Sequence, residues 1–318
     1  MKENQKMLDI IKKFPEELKN PFLDSRLTNK KVLGDIAVCG MGGSAIAGQI
    51  AGDVYGVNLQ VIRDYNLPKL KENSLVIVCS YSGNTEETIS CFNDALSKGF
   101  DTVVVTSGGL LLEECKKRDL DWIQLRAGVP PRTAFPNLFG SVVKVLESRG
   151  LLDIQDFSGF ADRLNVEEVN VLAAEAAESF SGKIPVIYTY DFPSVAKRIK
   201  DEFNENSKMH CRFETFPELN HNDVNCWLDP EFSRQFMLIF LHSGDEPERI
   251  KKIMNITKNL LEGKVKNLNF QMQGNNRVEK ALNTILFFDL LSMHLAEMRG
   301  IDGYNVKIIT EFKRMLKD

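Results

Sequence analysis

Short apolar runs alternate with longer amphipathic segments along most of this 318-residue chain. A run such as SLVIVC at 74–79 is typical of a strand that is buried on both faces of a sheet. Strands that alternate with helices pair in parallel, and the helices then cover both faces. In the first half the pattern predicts strands at 35–40, 59–62, 74–79, 102–106 and 122–125, and helices from about 44, at 85–98 and at 137–149.

The alternation restarts beyond an irregular segment at 150–163, which carries Gly159. The second half is predicted to contain strands at 185–189, 212–215, 235–241 and 265–270, and helices at 166–180, 194–206, 246–261, 276–298 and 306–317. The halves show no convincing sequence repeat, yet both have the pattern of a doubly wound α/β unit. We therefore expect an α/β protein with two doubly wound parallel-sheet domains, at residues 1–150 and 151–318.

Composition excludes several classes of protein. The formal net charge of −4 comes from an even mixture of 40 basic and 44 acidic residues, so general attraction to nucleic acid is not expected. The N-terminal segment MKENQKMLDIIKKFPEEL is predicted to be an amphipathic helix without the apolar core of a signal peptide. No apolar run reaches the roughly 20 residues that span a bilayer, so we expect a cytoplasmic protein without a membrane partner.

The six cysteines are scattered along the chain without a C-x-x-C pair. Metal ligands would be clustered, and a disulfide framework is typical of shorter secreted chains. We expect all of the cysteines to be reduced and structural, and we expect no metal site and no cofactor. They are Cys39, Cys79, Cys91, Cys115, Cys211 and Cys226.

A glycine-rich turn, CGMGGSA at 39–45, joins a predicted strand to a predicted helix. Gly40, Gly42 and Ala45 satisfy the G-x-G-x-x-A form of a dinucleotide fingerprint, and Asp64 lies where an acidic ribose ligand would be expected. The physical content is more general, because small residues let backbone N–H groups approach any anion at a helix N-terminus. From this turn alone, a dinucleotide site, another phosphate site and a structural turn all remain open.

A second strand-to-helix turn, SYSGNTEE at 80–87, places the hydroxyls of Ser80, Ser82 and Thr85 within six residues, next to a glycine. Hydroxyls and unpaired backbone N–H groups at the positive end of a helix dipole can surround a phosphate. The alternative is that Asn84 or Thr85 caps the helix and that the serines form the turn, which is compatible with phosphate binding. A dehydrogenase has no obvious need for this second turn.

At this point the sequence resembles a known family. SYSGNT at 80–85 resembles the phosphate loop of the sugar isomerase (SIS) domain, the fold shared by phosphoglucose isomerases and related proteins. GMGGS at 40–44 resembles the glycine turn of the archaeal-type bifunctional phosphoglucose/phosphomannose isomerases. The resemblance spans nearly the whole chain and includes PPRTAFP at 130–136, FNENSK at 203–208 and ELNHND at 218–223.

The resemblance implies two SIS-type domains and sugar 6-phosphates as ligands. Domain 1–150 would hold the substrate phosphate, and domain 151–318 would carry the catalytic base and histidine. The phosphate-binding residues implied are Gly43, Ser44, Ser80, Ser82 and Thr85.

The resemblance also implies the residues that move protons. Glu205, late in a predicted helix, matches the family's proton-transferring glutamate; without the resemblance, it reads as a solvated carboxylate at a helix end. His221 lies in a polar turn and suits ring opening near neutral pH, although a histidine bonded to backbone is the alternative. In the family this histidine reaches the active site of the partner subunit, which implies a homodimer.

Two cations complete the implied site. Arg132 lies in a loop braced by prolines and would stabilise an enediolate; a surface arginine is the alternative. The family places a lysine near its last helix, where Lys313 aligns best and Lys307 is the reserve. Upstream, Gly303 follows Asp302 where the family usually has Asp-Pro, which leaves the local register and the tolerance of C2 epimers open.

We therefore expect an aldose–ketose isomerase that interconverts glucose 6-phosphate, and mannose 6-phosphate, with fructose 6-phosphate through a cis-enediolate. One alternative is a non-catalytic sugar-phosphate-binding protein with the same fold. Such sensors usually carry an output module, and the N-terminal segment is too short for a three-helix DNA reader. The other alternative is the dehydrogenase suggested by the glycine turn.

Overall fold

The structure of the chain is a computed structural model, which describes residues 2–316. The helices are α1 (Lys2–Ile11), α2 (Phe14–Lys19), α3 (Gly42–Tyr55), α4 (Glu86–Ser97), α5 (Gly109–Arg118), α6 (Phe135–Ser148), α7 (Ser158–Arg163), α8 (Val166–Glu178), α9 (Pro193–Glu205), α10 (Pro230–Ser233), α11 (Glu248–Leu261), α12 (Arg277–Met298) and α13 (Lys307–Met315). The strands are β1 (Asp24–Arg26), β2 (Ile36–Cys39), β3 (Leu59–Ile62), β4 (Leu75–Cys79), β5 (Asp101–Thr106), β6 (Asp121–Gln124), β7 (Ile184–Thr189), β8 (Arg212–Thr215), β9 (Phe236–His242) and β10 (Lys266–Gln271). Short 3₁₀ helices cover Pro131–Ala134, Glu218–His221 and Asp223–Leu228.

The chain forms two compact units, each with one sheet. We call Lys13–Leu164 the N-terminal unit, and Met1–Lys12 together with Asn165–Asp318 the C-terminal unit. The expected boundary between residues 150 and 151 differs from this division at two points. Residues 151–164 stay with the N-terminal unit, where α7 packs on α2 and Lys19 pairs with Asp162. Helix α1 packs on α12 in the C-terminal unit.

The sheet of the N-terminal unit has the strand order β1-β6-β5-β4-β2-β3. All its strands pair in parallel except β1, which pairs antiparallel with β6 at the edge. Successive side chains of β2 point to opposite faces. Ala37 and Cys39 lie in a core cluster with residues of α4 and α5, whereas Val38 contacts Gly48 of α3. Helices therefore cover both faces, as predicted.

The strand order reverses direction between β2 and β4. Strand β3 lies on one side of β2, and the chain then returns to place β4 on its other side. In doubly wound sheets the turns after such a pair of strands diverge, and the crevice between them is the usual ligand site. In this unit those two turns are 40–41 and 80–85, the two glycine-containing turns of the sequence.

The sheet of the C-terminal unit has four parallel strands in the order β10-β9-β7-β8. Helix α12 packs against α8 and α9. A second core cluster contains Tyr188 of β7, Phe240 of β9, Trp227 and residues of α11. The predicted fold class, two doubly wound parallel-sheet units, is confirmed.

Several local expectations were wrong or incomplete. The predicted single N-terminal helix is two helices, because Pro15 lacks an N–H group and its ring excludes the carbonyl of residue 11 from a continuous helix. Strand β1 was not predicted, since its three residues, DSR, carry no apolar pattern. Helix α5 was also missed, and α7 lies in the segment that was expected to be irregular.

The buried side chain of Arg149, just after α6, forms ion pairs with two aspartates of the sheet of the N-terminal unit. The Arg149 side chain is fully buried; its Nε lies 2.6 Å from Asp101 Oδ2 and its Nη2 lies 2.7 Å from Asp121 Oδ2. Burial tends to raise the pKa of Asp121, but hydrogen bonds from Thr28 and Arg149 outweigh it and lower that pKa. This stabilisation is therefore present at neutral pH and is lost as the pH falls through the folded-state pKa of Asp121.

We expect Arg149→Met to lower the free energy of unfolding at pH 7 by about 3–5 kcal/mol, because it removes the only buried cation paired with the Asp121 carboxylate among the described residues and leaves Arg26, at 3.8 Å, as its cation. Arg118→Met is the control: Arg118 is half-exposed and pairs with Glu114 within one helix, so its loss should cost less than about 1 kcal/mol. Urea unfolding measures both variants. Equal effects of the two would contradict the role given to Arg149.

Candidate active site

The two glycine-containing turns of the N-terminal unit meet at the carboxyl ends of β2 and β4. Gly40 comes so close to β4 that a Cβ atom at this position would lie 2.7 Å from the carbonyl oxygen of Cys79. The Tyr81 backbone N–H donates to Ser44 Oγ at 3.3 Å, which joins one turn to the other. The structure thus brings the predicted phosphate-binding residues of both turns together.

Both turns present backbone donors. Within residues 2–316, no hydrogen bond engages the N–H groups of Met41, Gly42 and Gly43 at the start of α3. The same holds at the start of α4 for the N–H groups of Ser82, Thr85, Glu86 and Glu87. Unpaired N–H groups at helix N-termini carry partial positive charge, and together they suit an anion with several oxygens.

The hydroxyls of the second turn are arranged around a glycine that no other residue could replace. Gly83 has φ +69°, and a Cβ atom there would lie 1.8 Å from the carbonyl oxygen of Gly108. Ser80 Oγ donates to Thr85 Oγ1 at 3.0 Å, whereas Ser82 is exposed. Thr85 makes no side-chain cap on α4. The side chain of Asn84 instead accepts from Leu110 N–H of α5 at 3.0 Å, so neither residue caps α4.

The proline-braced loop lies against the first turn. A Cβ atom on Gly43 would be 3.5 Å from Arg132 Cα, and the Arg132 side chain is buried. The loop is held by Tyr81, whose hydroxyl donates to the Arg126 carbonyl at 3.0 Å and accepts from Val129 N–H at 3.3 Å. Arg132 therefore lies beside the glycine-containing turn 40–41 of the same unit.

Glu205 is the last residue of α9 in the C-terminal unit and is half-buried. The end of this helix is fixed by buried polar contacts: Asn206 Nδ2 donates to Glu202 at 2.7 Å and to Ser292 of α12 at 2.9 Å. Two turns before the end of α9, Arg198 is buried between Glu202 and Asp289, at 2.8 and 2.9 Å. Burial alone would lower the pKa of Arg198, but Asp289, Glu202 and also Glu205 raise it. Glu205 thus lies within the field of a buried cation.

His221 is exposed at the end of a 3₁₀ helix whose flanks are anchored. On one side, Asn220 Nδ2 donates to Thr257 Oγ1 of α11 at 2.6 Å. On the other side, Asp223 pairs with Arg212 and accepts from the Tyr188 hydroxyl. The imidazole is therefore presented to solvent by a turn whose backbone is held from both ends.

The Tyr188 hydroxyl also accepts from Trp227 Nε1 at 2.7 Å, so a buried polar chain runs from the core of the C-terminal unit to Asp223. Burial and the carboxylate of Asp223 raise the pKa of Tyr188, and the phenol stays protonated as the donor. Sequence reasoning missed Tyr188 and Asp223, as it missed Tyr81. The only available signal was that Asp223 closes the ELNHND segment.

Lys307 and Lys313 lie at the two ends of α13, and both are exposed. No residue of this helix is buried. Among residues 2–316, neither lysine has a hydrogen-bond or ion-pair partner that would place it in a polar cluster. The preceding Gly303 is buried and its N–H donates to Asn4 Oδ1 of α1 at 2.8 Å. The family usually has a proline at this position. A proline has no N–H group and could not donate to Asn4, whereas the glycine keeps this hydrogen bond.

The cysteines are free, and all but Cys226 are buried. Within residues 2–316 there is no cluster of three or more His, Cys, Asp or Glu side chains that could hold a metal ion. In the same part of the chain, no helix is both long and apolar enough to cross a membrane.

Comparison with known proteins adds independent findings. The sequence profile of the bacterial phospho-glucose isomerase C-terminal SIS domain matches residues 170–316. The chain is 32% identical over 292 residues to the bifunctional phosphoglucose/phosphomannose isomerase of Aquifex aeolicus, covering 89% of this chain and 90% of that protein. It is 33% identical over 289 residues to the enzyme of that name from Thermoplasma acidophilum, covering 89% of each.

The fold is shared more widely. The C-terminal domain of glucosamine-fructose-6-phosphate aminotransferase from Francisella tularensis superposes with a TM-score of 0.68 at 17% identity, covering 94% of this chain and 98% of that one. At this identity the likeness shows the fold alone. The sequence identity to the two isomerases, over nine-tenths of the chain, shows more. This chain belongs to the family of bifunctional phosphoglucose/phosphomannose isomerases.

Proposed function

We propose that the protein is an aldose–ketose isomerase that interconverts glucose 6-phosphate and mannose 6-phosphate with fructose 6-phosphate. The observation that carries the proposal is the pair of turns joined by Ser44 and Tyr81, whose unpaired N–H groups and hydroxyls suit a phosphate ester. Family membership supplies the reaction type, because the Aquifex and Thermoplasma relatives are named for these two activities.

The phosphate would bind to Gly43, Ser44, Ser80, Ser82 and Thr85. All five donors at these positions are neutral, and the ligand brings the charge. The phosphate does not react, so its binding serves to orient the carbon chain at a distance from the chemistry. This assigns phosphate binding to the N-terminal unit and proton transfer to the C-terminal unit.

The chemistry requires a base, an acid and a stabilising cation. The Glu205 carboxylate would take the proton from C2 of the open-chain aldose as the C1–C2 enediolate forms, and would return it to C1. The hydroxyl proton of O2 passes to O1 in the same sequence, which leaves a carbonyl at C2 and gives the ketose. The C2 centre is planar in that intermediate, so glucose and mannose 6-phosphate lead to the same species. The Arg132 guanidinium would stabilise the negative oxygens, and Lys313, or Lys307, would add a second cation.

His221 would open the sugar ring by moving a proton between the ring oxygen and the C1 hydroxyl. We propose that it acts in the active site of the partner subunit of a homodimer. Its exposure on a turn held from both ends supports this role, because the imidazole is available to another chain while its backbone stays fixed. Six free thiols suit the reducing cytoplasm, which we propose as the location.

We expect the wild-type protein to convert both aldose phosphates to fructose 6-phosphate in a coupled assay containing EDTA. Glu205→Gln should retain sugar-phosphate binding and lose turnover by about 10²–10⁴-fold, since the amide cannot accept the proton. Asp201→Asn is the control, because Asp201 lies one turn earlier on α9 and pairs with Lys197 at 2.7 Å. Binding without any product in the wild-type protein would instead favour the non-catalytic alternative.

A mixing experiment tests the role of His221 across the interface. Chains with Glu205→Gln and chains with His221→Ala should each be inactive alone. Co-expressed mixed dimers should regain activity, because one of their two sites then combines an intact base with an intact histidine. No recovery in dimers whose mixed composition has been verified would place both residues of a site on one chain.

The phosphate turn is tested at a backbone position. We expect Gly83→Ala to raise KM for glucose 6-phosphate at least tenfold, because the new Cβ would collide with Gly108 and displace the turn. Gly99→Ala is a matched control: Gly99 has nearly the same φ, +68°, but nothing within 4 Å of the added Cβ. Equal KM values for the two variants would show that the turn does not bind the phosphate.

A further inference from the structure

Tyr81 is the second residue of the glycine-containing turn at 80–85, and its backbone is fixed from two sides. Its N–H donates to Ser44 Oγ at 3.3 Å, which joins it to the first turn. Its carbonyl accepts from the Ser107 N–H at 3.0 Å and from the Ser107 hydroxyl at 2.6 Å. These contacts hold the backbone of the turn without using the tyrosine side chain.

The side chain of Tyr81 holds a different segment. It is only 7% exposed, and its hydroxyl donates to the Arg126 carbonyl at 3.0 Å and accepts from the Val129 N–H at 3.3 Å. Between these two partners the chain bends at Gly128, which has φ +103° and nothing within 4 Å of an added Cβ. The hydroxyl therefore bridges the two sides of a bend that faces open space at its glycine.

The bend leads directly into the residues around Arg132, whose side chain is only 4% exposed. Pro130 and Pro131 come between them, and both have a fixed φ and no N–H group. The Pro130 carbonyl accepts from the Thr133 N–H at 2.9 Å and from the Thr133 hydroxyl at 2.8 Å. Since residues 130–133 form a stiff turn, a displacement of the bend is passed on to Arg132.

The bridging hydroxyl is not a proton-transfer group. Burial raises the pKa of Tyr81, the hydrogen bond from Val129 lowers it and the carboxylate of Glu17 raises it, with a net rise. A phenol whose pKa lies above the usual value of about 10 stays protonated at neutral pH, so it keeps donating to the Arg126 carbonyl. Its removal should therefore leave the shape of a pH–rate profile unchanged.

We propose that the Tyr81 hydroxyl is a positioning group that holds the Arg132 guanidinium in place against the proposed phosphate turns. The inference rests on the proposed function and deepens it. One residue then serves both parts of the site, because its backbone fixes a turn that binds the phosphate and its side chain fixes the loop that carries the cation. The phosphate is unchanged during the reaction, whereas the enediolate charge develops only in the course of it. Loss of the hydroxyl should therefore impair turnover and spare phosphate binding.

Tyr81→Phe removes the bridge and keeps the buried ring. We expect kcat for glucose 6-phosphate to fall about 10–100-fold, because a misplacement of about 1 Å can cost about 10² in rate. KM and the inhibition constant of inorganic phosphate should not change, since only an interaction of the transition state is lost. Tyr55→Phe is the matched control: the buried Tyr55 hydroxyl has no hydrogen-bond partner among residues 2–316, and its loss should leave kcat unchanged.

A double-variant cycle separates positioning from a general loosening of the fold. If the Tyr81 hydroxyl acts through Arg132, Tyr81→Phe should lower kcat no further once Arg132→Ala has removed the guanidinium. Equal fold losses of kcat in the wild-type and Arg132→Ala backgrounds would overturn the proposal. A wild-type kcat in the single variant Tyr81→Phe would overturn it too, whatever the KM of that variant.

Hydrogen exchange at the Arg132 and Thr133 amides tests the same link without turnover. Inorganic phosphate should slow this exchange in the wild type and not in Tyr81→Phe. Equal slowing in both proteins, or phosphate bound to the wild type without slowing, would overturn the proposal alone. A wild type that shows the slowing but no isomerase activity would count against the proposed function alone, and absence of phosphate binding would overturn both.

A second variant reaches the same loop if Tyr81→Phe fails to fold. Gly128→Ala strains the bend, because φ +103° is a conformation that alanine rarely adopts, and the added Cβ meets no other atom. We expect it to lower kcat and to leave KM and phosphate inhibition unchanged. Gly99→Ala, at φ +68° and also in open space, is the control for backbone strain and should keep the wild-type kcat. Equal kcat values for these two variants would overturn the proposal.

Discussion

The close approach of two backbones at Gly40 is the constraint on which the candidate site depends. Strands β2 and β4 are neighbours in the sheet, and the turn that leaves β2 passes directly over the end of β4. A side chain at Gly40 would meet the Cys79 carbonyl at 2.7 Å, and the turn would have to move away. The contact between Tyr81 N–H and Ser44 Oγ, and the position of Gly43 against the Arg132 loop, both require the turn to remain where it is.

The sequence predicts this part of the molecule well because its signals are local. Apolar runs such as SLVIVC at 74–79 are typical of strands buried on both faces, and each predicted strand of the first half has a counterpart in β2 to β6. The two turns follow from their glycines and hydroxyls. The sequence alone does not identify the ligand of the GMGGS turn. Unpaired N–H groups at a helix N-terminus can bind the phosphates of a dinucleotide and of a sugar phosphate equally. Membership of a family of sugar-phosphate isomerases favours the sugar phosphate.

Features that depend on distant partners were not predictable. Strand β1 has no apolar residue and exists because β6 offers an unpaired edge. The turn of His221 is held by Asp223, whose partners Arg212 and Tyr188 are 11 and 35 residues away in sequence. Gly303 departs from the family pattern, and the reason is the hydrogen bond that its N–H donates to Asn4, near the other end of the chain. No local pattern relates Asp223 to Tyr188 or Gly303 to Asn4, so these supporting contacts emerged only from the structure.

The proposed phosphate turn has a physical reason to carry few charges. A phosphate ester carries between one and two negative charges at neutral pH, and its charge is the same in substrate, intermediate and product. A cation on the phosphate would tighten all of these states equally, which lowers KM without accelerating the reaction. In the proposed site, neutral donors at Ser80, Ser82 and Thr85 would orient the ligand without that excess.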